Sequence, residues 1–100
     1  MVAVYTLGLW RVKPGEEDAF VAAWTDMATR TAGDFPGASA VLLRDRDTPG
    51  LFVSTGPWES LDQIEKWRAS TTFTNGVGAI RSHLDGFEPH TMDPVATIGD

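Results

Sequence analysis

VAVYTLGLWRV, residues 2–12, alternates with the two-residue period of a β-strand. Val2, Val4, Thr6, Gly8, Trp10 and Val12 share one face, and Ala3, Tyr5, Leu7 and Leu9 the other. Both faces are largely apolar, so neither suits contact with water. One layer of helices covers one side of a sheet, and the second face needs another cover. A chain of 100 residues has no room for a second core, so a second copy is expected to supply that cover.

The rest of the chain builds outward from this strand. Pro14 and Gly15 break it, and Glu16, Glu17 and Asp18 suit the positive end of a helix dipole. Phe20, Ala23, Trp24, Met27, Ala28 and Thr31 recur at helical spacing, which predicts a helix over 15–32 that ends before GDFPG. Strands are expected over 40–46 and 51–58, joined as a hairpin by Asp47-Thr48-Pro49-Gly50. Ser60 and Gln63 fit a capping box, so a helix starts at Leu61. It breaks near Ser70-Thr71-Thr72, whose hydroxyls can cap a new segment. Phe73, Val77, Ile80 and Leu84 then keep helical spacing in spite of Gly76 and Gly78. The last extended stretch, 86–98, carries Pro89 and Pro94, which cannot donate to a ladder, and reads as an edge or bulged strand. The order is β-α-β-β-α-β: a ferredoxin-like α+β domain over 1–100, with an antiparallel sheet and helices on one face.

Composition removes several function classes. A net charge of -6 offers no basic stripe for nucleic acid. The absence of cysteine excludes disulfides and thiolate metal sites, and His83 and His90 lack the spacing of a zinc site, so no metal centre is expected. The N-terminal stretch lacks a basic n-region and a small-residue cleavage site, and it is too short to span a bilayer. A cytoplasmic protein with no membrane partner is expected.

Trp58-Glu59-Ser60, then Trp67-Arg68-Ala69-Ser70 and Phe73, follow an N-terminal strand and a Pro14-Gly15-Glu16 helix start. This pattern resembles the antibiotic biosynthesis monooxygenase family over nearly the whole chain. The resemblance implies a dimeric α+β barrel, in which two ferredoxin-like sheets face each other and supply the missing cover. It also implies one of two chemistries. The first is cofactor-independent oxygenation of polycyclic aromatic phenols, in which the electron-rich substrate itself activates O2; the second is oxidative haem degradation. Haem-degrading members carry an Asn, a Trp and a His at the positions that are Gly8, Trp67 and Val77 here. Only the Trp is kept, and a haem iron would lack its proximal imidazole. Cofactor-independent members carry an Asn and a Tyr at the positions of Gln63 and Phe73. Gln63 keeps an amide that can hydrogen-bond a phenolate oxygen, whereas Phe73 has no hydroxyl.

The leading expectation is a homodimeric monooxygenase that uses O2, and no cofactor, on a small aromatic, enolisable substrate. Trp67 and Gln63 are the catalytic candidates. Spacing with Leu61 and Ile64 puts Trp67 on an apolar helical face, where a Trp is usually core; the resemblance moves it to a pocket wall, stacked on a flat ligand. Gln63 would orient a substrate oxygen and Thr6 would add a hydrogen bond. Gly8, Trp10, Phe73 and Val77 would line the substrate site, with Arg81 at its mouth to meet an anionic substrate. Trp10 shares a face with Gly8 and Thr6, and that face is expected to look into the barrel. Trp58 is expected in the core or at the dimer contact, Trp24 in the core, and the histidines outside the site. A non-catalytic ligand-binding or interaction dimer competes, since Phe73 and Val77 suit it equally; haem binding is a third expectation.

Overall fold

The computed structural model describes residues 3–99, so Val2 lies outside the described residues. The elements are β1 (Val4–Val12), α1 (Glu17–Asp34), β2 (Val41–Arg44), β3 (Leu51–Trp58), α2 (Leu61–Arg68), α3 (Thr71–Arg81) and β4 (Leu84–Met92). The strands form one antiparallel sheet in the order β2-β3-β1-β4, with the helices on one face. This is the ferredoxin-like α+β arrangement, its second helical unit broken in two where the hydroxyl cluster lies. Ser60 Oγ accepts from the Gln63 N–H at 3.2 Å while Gln63 Oε1 accepts from the Glu59 N–H at 3.0 Å, a reciprocal cap that starts α2. Ser70 Oγ accepts from the Phe73 N–H at 3.2 Å and starts α3.

Boundaries differ from expectation for local reasons. α1 begins at Glu17 because Gly15 turns with φ of 84°, outside the helical region. β2 stops at Arg44 because the Asp45 carboxylate accepts from the N–H groups of Asp47 and Thr48 at 2.7 and 2.8 Å, which starts the turn early. β4 ends at Met92, not 98, since the ladder with β1 closes at the Tyr5–Met92 pair. Val95 and Ile98 beyond it are exposed.

The register sorts the sheet into rows. Phe52, Trp10 and Phe87 stand side by side on β3, β1 and β4. Trp10 stacks on Phe87 with centroids 4.0 Å apart, and Phe20 of α1 lies 5.5 Å from Trp10 and 5.0 Å from Phe52. Trp10, Phe20 and Phe52 make the buried core with Val12, Met27, Val77 and Ile80, and half-buried Phe87 packs against it. α3 approaches α1 closely at Gly76, where a Cβ would run into the Met27 side chain. The Gly8–Trp10 face therefore looks at the helices, not into a barrel as expected. Alternation groups residues by face, but the volume of Phe52, Trp10 and Phe87 decides that this face meets α1. The opposite face carries the rows Pro57–Tyr5–Met92, Thr55–Leu7–His90 and Val53–Leu9–Glu88, flanked by Val41 and Leu43. No helix of the described residues lies on it; Leu43 is 52% and Tyr5 37% exposed.

Candidate functional site

Away from the core end, the helix-facing rows become small. Ser54–Gly8–Pro89 comes next, then Gly56–Thr6–Thr91. Under α1 these short side chains leave a cavity of about 370 Å³, within the range of small-molecule sites. Trp10 and Phe87 stand toward the core, Trp58, Trp67 and Phe73 line it elsewhere, and Trp24, Met27 and Thr31 reach it from α1. Exposed Thr25, Thr29, Ser39 and Ala40 make its solvent side, between α1 and the loop before β2.

Three indole N–H groups are paired with hydroxyls around this space. Trp10 Nε1 donates to Ser54 Oγ at 2.9 Å, Trp58 Nε1 to Thr6 Oγ1 at 3.2 Å, and Trp67 Nε1 to Thr31 Oγ1 at 3.0 Å. An indole can only donate, so each hydroxyl serves it as acceptor and keeps its own proton. Thr25 and Thr29 donate theirs to carbonyls one turn back, at 2.7 and 2.8 Å. Thr31, Thr6 and Ser54 make no such bond among the described residues, which leaves three O–H donors at the lining. Gly8 permits this arrangement. A Cβ there would sit 2.8 Å from Ser54 Oγ and 2.9 Å from Trp10 Nε1, in the path of that hydrogen bond.

Trp67 is half-buried and lies outside the core cluster. Its ring meets Phe73 edge-on at 4.7 Å and Trp58 at 5.0 Å, and Phe35 extends the chain of rings 5.7 Å beyond Trp58. Its neighbour Arg68 is the one charged residue of the lining among the described residues. Its guanidinium donates to Thr91 Oγ1 at 2.8 Å and to the His90 carbonyl at 3.2 Å, and its buried Nε finds no acceptor among the described residues.

The antibiotic biosynthesis monooxygenase profile matches residues 3–79. The chain belongs to that family. Its fold is also that of solved structures, each with low identity. SnoaB, a cofactor-independent oxygenase from Streptomyces nogalater, superposes with a TM-score of 0.86 at 20% identity, covering 100% of both chains. A protein from Caulobacter crescentus named for the same family gives 0.85 at 18%, over 95% of this chain and 92% of that one. One from Chloroflexus aurantiacus gives 0.76 at 23%, over 97% of each. Among curated proteins none matches the sequence.

Within this antibiotic biosynthesis monooxygenase domain, Thr6, Gly8, Trp10, Trp67 and Phe73 come together around the cavity. Gln63, Val77 and Arg81 do not. Gln63 is occupied by the cap of α2 and borders a separate depression of about 240 Å³ beside Pro57 and Trp58. Its position in the first turn puts the amide within reach of an unsatisfied backbone N–H, and that local bond wins. Val77 is 7% exposed and packs in the core under α1. Arg81 is exposed at the last turn of α3, outside the lining. Trp24, expected as core, is half-buried and lines the cavity; Trp58 is buried, at 7% exposed, and lines it as well.

Thr31, Ser54, Phe87 and Arg68 were not among the residues anticipated for the site. A Thr within the apolar stripe of α1 was the one available signal, because a buried hydroxyl requires a partner. His83 Nδ1 lies 2.8 Å from Glu16 Oε1, tying the start of α1 to the turn before β4, while His90 stands on the uncovered sheet face. No cluster of His, Cys, Asp or Glu able to hold a metal occurs among the described residues. The lining residues do not fit haem either: among the described residues they include no imidazole, thiolate or phenolate, and the one thioether, Met27, is buried against Gly76. No helix of the described residues is long and apolar enough to cross a membrane.

Proposed function

We propose that this chain is a homodimeric, cofactor-independent monooxygenase acting on a small aromatic, enolisable substrate with O2. The observation that carries this reading is a cavity walled by tryptophan and phenylalanine rings whose polar lining offers hydroxyl protons from Thr6, Thr31 and Ser54. A flat polycyclic ring fits against such walls, stacking on the cavity side of the Trp67–Trp58 pair. Its ionised phenol oxygen accepts from the hydroxyls, which favours the anion within apolar surroundings. Among the described residues the lining holds no carboxylate or imidazole, so the phenolic proton leaves to water, not to a side chain. The anion passes one electron to O2, and the substrate radical and superoxide combine at the activated carbon. Protonation gives a hydroperoxide, and loss of water leaves a new carbonyl. One O2 is consumed, with one oxygen atom in the product and the other in water.

The uncovered sheet face supports the homodimer. Its rows around Leu7, Leu9, Val53 and Leu43 suit a second copy of the same face, and a specific interface buries upwards of ~1,000 Å². A second reading has its own support. Gln63 is held in a helix cap and Phe73 lacks a hydroxyl, so the same cavity would serve a ligand-binding dimer without turnover.

Oxygen uptake with a panel of anthrones and hydroquinones, without added cofactor, tests the two. Consumption of one O2 for each anthrone converted to anthraquinone, above the uncatalysed rate, is the expected result. Saturable binding with no enhanced uptake leaves the binding dimer and overturns the oxygenase.

A further inference from the structure

We propose that Arg68 receives the carboxylate of an acidic aromatic ligand and sets a preference of the cavity for anionic over neutral molecules. This rests on the reading of the cavity as an aromatic-substrate site and adds the charge of what it takes. The protein carries a net charge of -6, yet among the described residues the cavity lining contains no Asp or Glu and one cation. Within apolar walls a fixed guanidinium attracts an anion more strongly than it would in water.

The side chain is already oriented. Nη1 is anchored to Thr91 Oγ1 at 2.8 Å and Nη2 to the His90 carbonyl at 3.2 Å. Thr91 pairs in register with Thr6, so the guanidinium is fixed over the row that also carries a cavity hydroxyl. Those two bonds leave part of the five-donor fork unused. Nε in particular is shielded from bulk water and has no acceptor among the described residues. A strut between α2 and β4 does not explain that donor, because burying it unpaired costs its desolvation. A carboxylate arriving from the cavity displaces the longer Nη2–His90 bond, and the guanidinium, turning about its Nη1–Thr91 anchor, gives it Nε–H together with Nη2–H as a side-on pair. The Thr91 anchor also means that part of the side chain's freedom is already lost before binding. The anion-meeting role expected of Arg81 thus passes to Arg68.

The test compares anthraquinone-2-carboxylate with its neutral carboxamide, by quenching of tryptophan fluorescence on the full chain. The wild-type protein is expected to bind the carboxylate at least about tenfold more tightly, with a preference that narrows as salt is added. Arg68→Gln removes the preference and leaves carboxamide binding in place. Arg68→Lys keeps part of the preference, and Thr91→Val, which retains the guanidinium, keeps most of it. Loss of both ligands alike in Arg68→Gln and Thr91→Val overturns the proposal in favour of a strut. Equal binding of both ligands by the wild type, reduced in Trp67→Ala, overturns the Arg68 role and leaves the aromatic site standing. No binding of either ligand overturns both. The wild-type salt series needs no variant, so an Arg68→Gln protein that fails to fold does not block the test.

Discussion

Replacing Trp67 by Ala separates a cavity wall from a core residue. A fully buried aromatic cut back to Ala costs roughly 3–5 kcal/mol, because the surroundings close only partly over the void. Trp67 packs against Trp58 and Phe73 on one side, but the cavity already lies against it. Its removal enlarges existing space, so only part of that penalty applies. The lost hydrogen bond to Thr31 adds about 1 kcal/mol, offset where water reaches the freed hydroxyl through the widened cavity. A net cost of about 2 kcal/mol follows, which lowers Tm by roughly 8–16 °C in a domain of this size. Phe20→Ala is the proper core reference, being 0% exposed between Trp10 and Phe52; Trp24 lines the cavity and does not serve. Phe20→Ala is expected to cost about 4 kcal/mol, a large share of a small domain's stability. Thermal melts followed by circular dichroism, alongside anthraquinone binding, give both numbers for each variant. Trp67→Ala should stay folded and bind at least tenfold more weakly, and Trp67→Phe should lose about 1 kcal/mol of stability with much smaller loss of binding. Equal, severe destabilisation of Trp67→Ala and Phe20→Ala would show that Trp67 is core, and unchanged binding would remove it from the site.

Other substitutions test separate parts of the structure. Gly8→Ala places a Cβ within 2.9 Å of Trp10 Nε1, so it should break the Trp10–Ser54 bond and cost about 1–3 kcal/mol by overpacking; an unchanged melting temperature would refute that constraint. Gln63→Ala should cost about 1 kcal/mol through the lost cap and leave ligand affinity unchanged, whereas a large loss of affinity would return Gln63 to the site. Leu43→Lys changes a residue 52% exposed in the single chain, so it should leave the monomer's stability within about 0.5 kcal/mol while shifting sedimentation equilibrium from dimer to monomer. A dimer that persists would place the interface elsewhere.

Much of the fold is legible because its signals are local. The period-two run of β1, the Ser60 and Ser70 caps and the Asp45-to-Gly50 turn each act within a few residues. The cavity is not local. Gly8, Ser54 and Thr6 are unremarkable small residues on two strands, and they become a floor only when the register sets Gly8 beside Ser54 with Thr6 on the same face. The same register turns Trp58 inward, so that a strand-end ring reads as packing until its N–H is found on Thr6. Which face meets the helices is likewise undecided by alternation, since it depends on ring volumes contributed by three strands.

The two arginines at the ends of α2 and α3 show where reading a single chain stops. Arg68 and Arg81 each sit in the last turn of a helix, where a cation suits the dipole, and by that rule both belong in solvent. Arg81 keeps to that rule. Arg68 departs from it because α2 is only 8 residues long and ends within reach of the Thr91 hydroxyl and the His90 carbonyl on β4. Those acceptors draw the guanidinium over the sheet, and the Trp67 ring that precedes it faces the same cavity. The Trp67-Arg68 pair thus supplies a stacking surface and a cation side by side. That pairing favours a flat acid over a flat neutral molecule, and it depends on a contact between α2 and β4 that no spacing within either segment encodes.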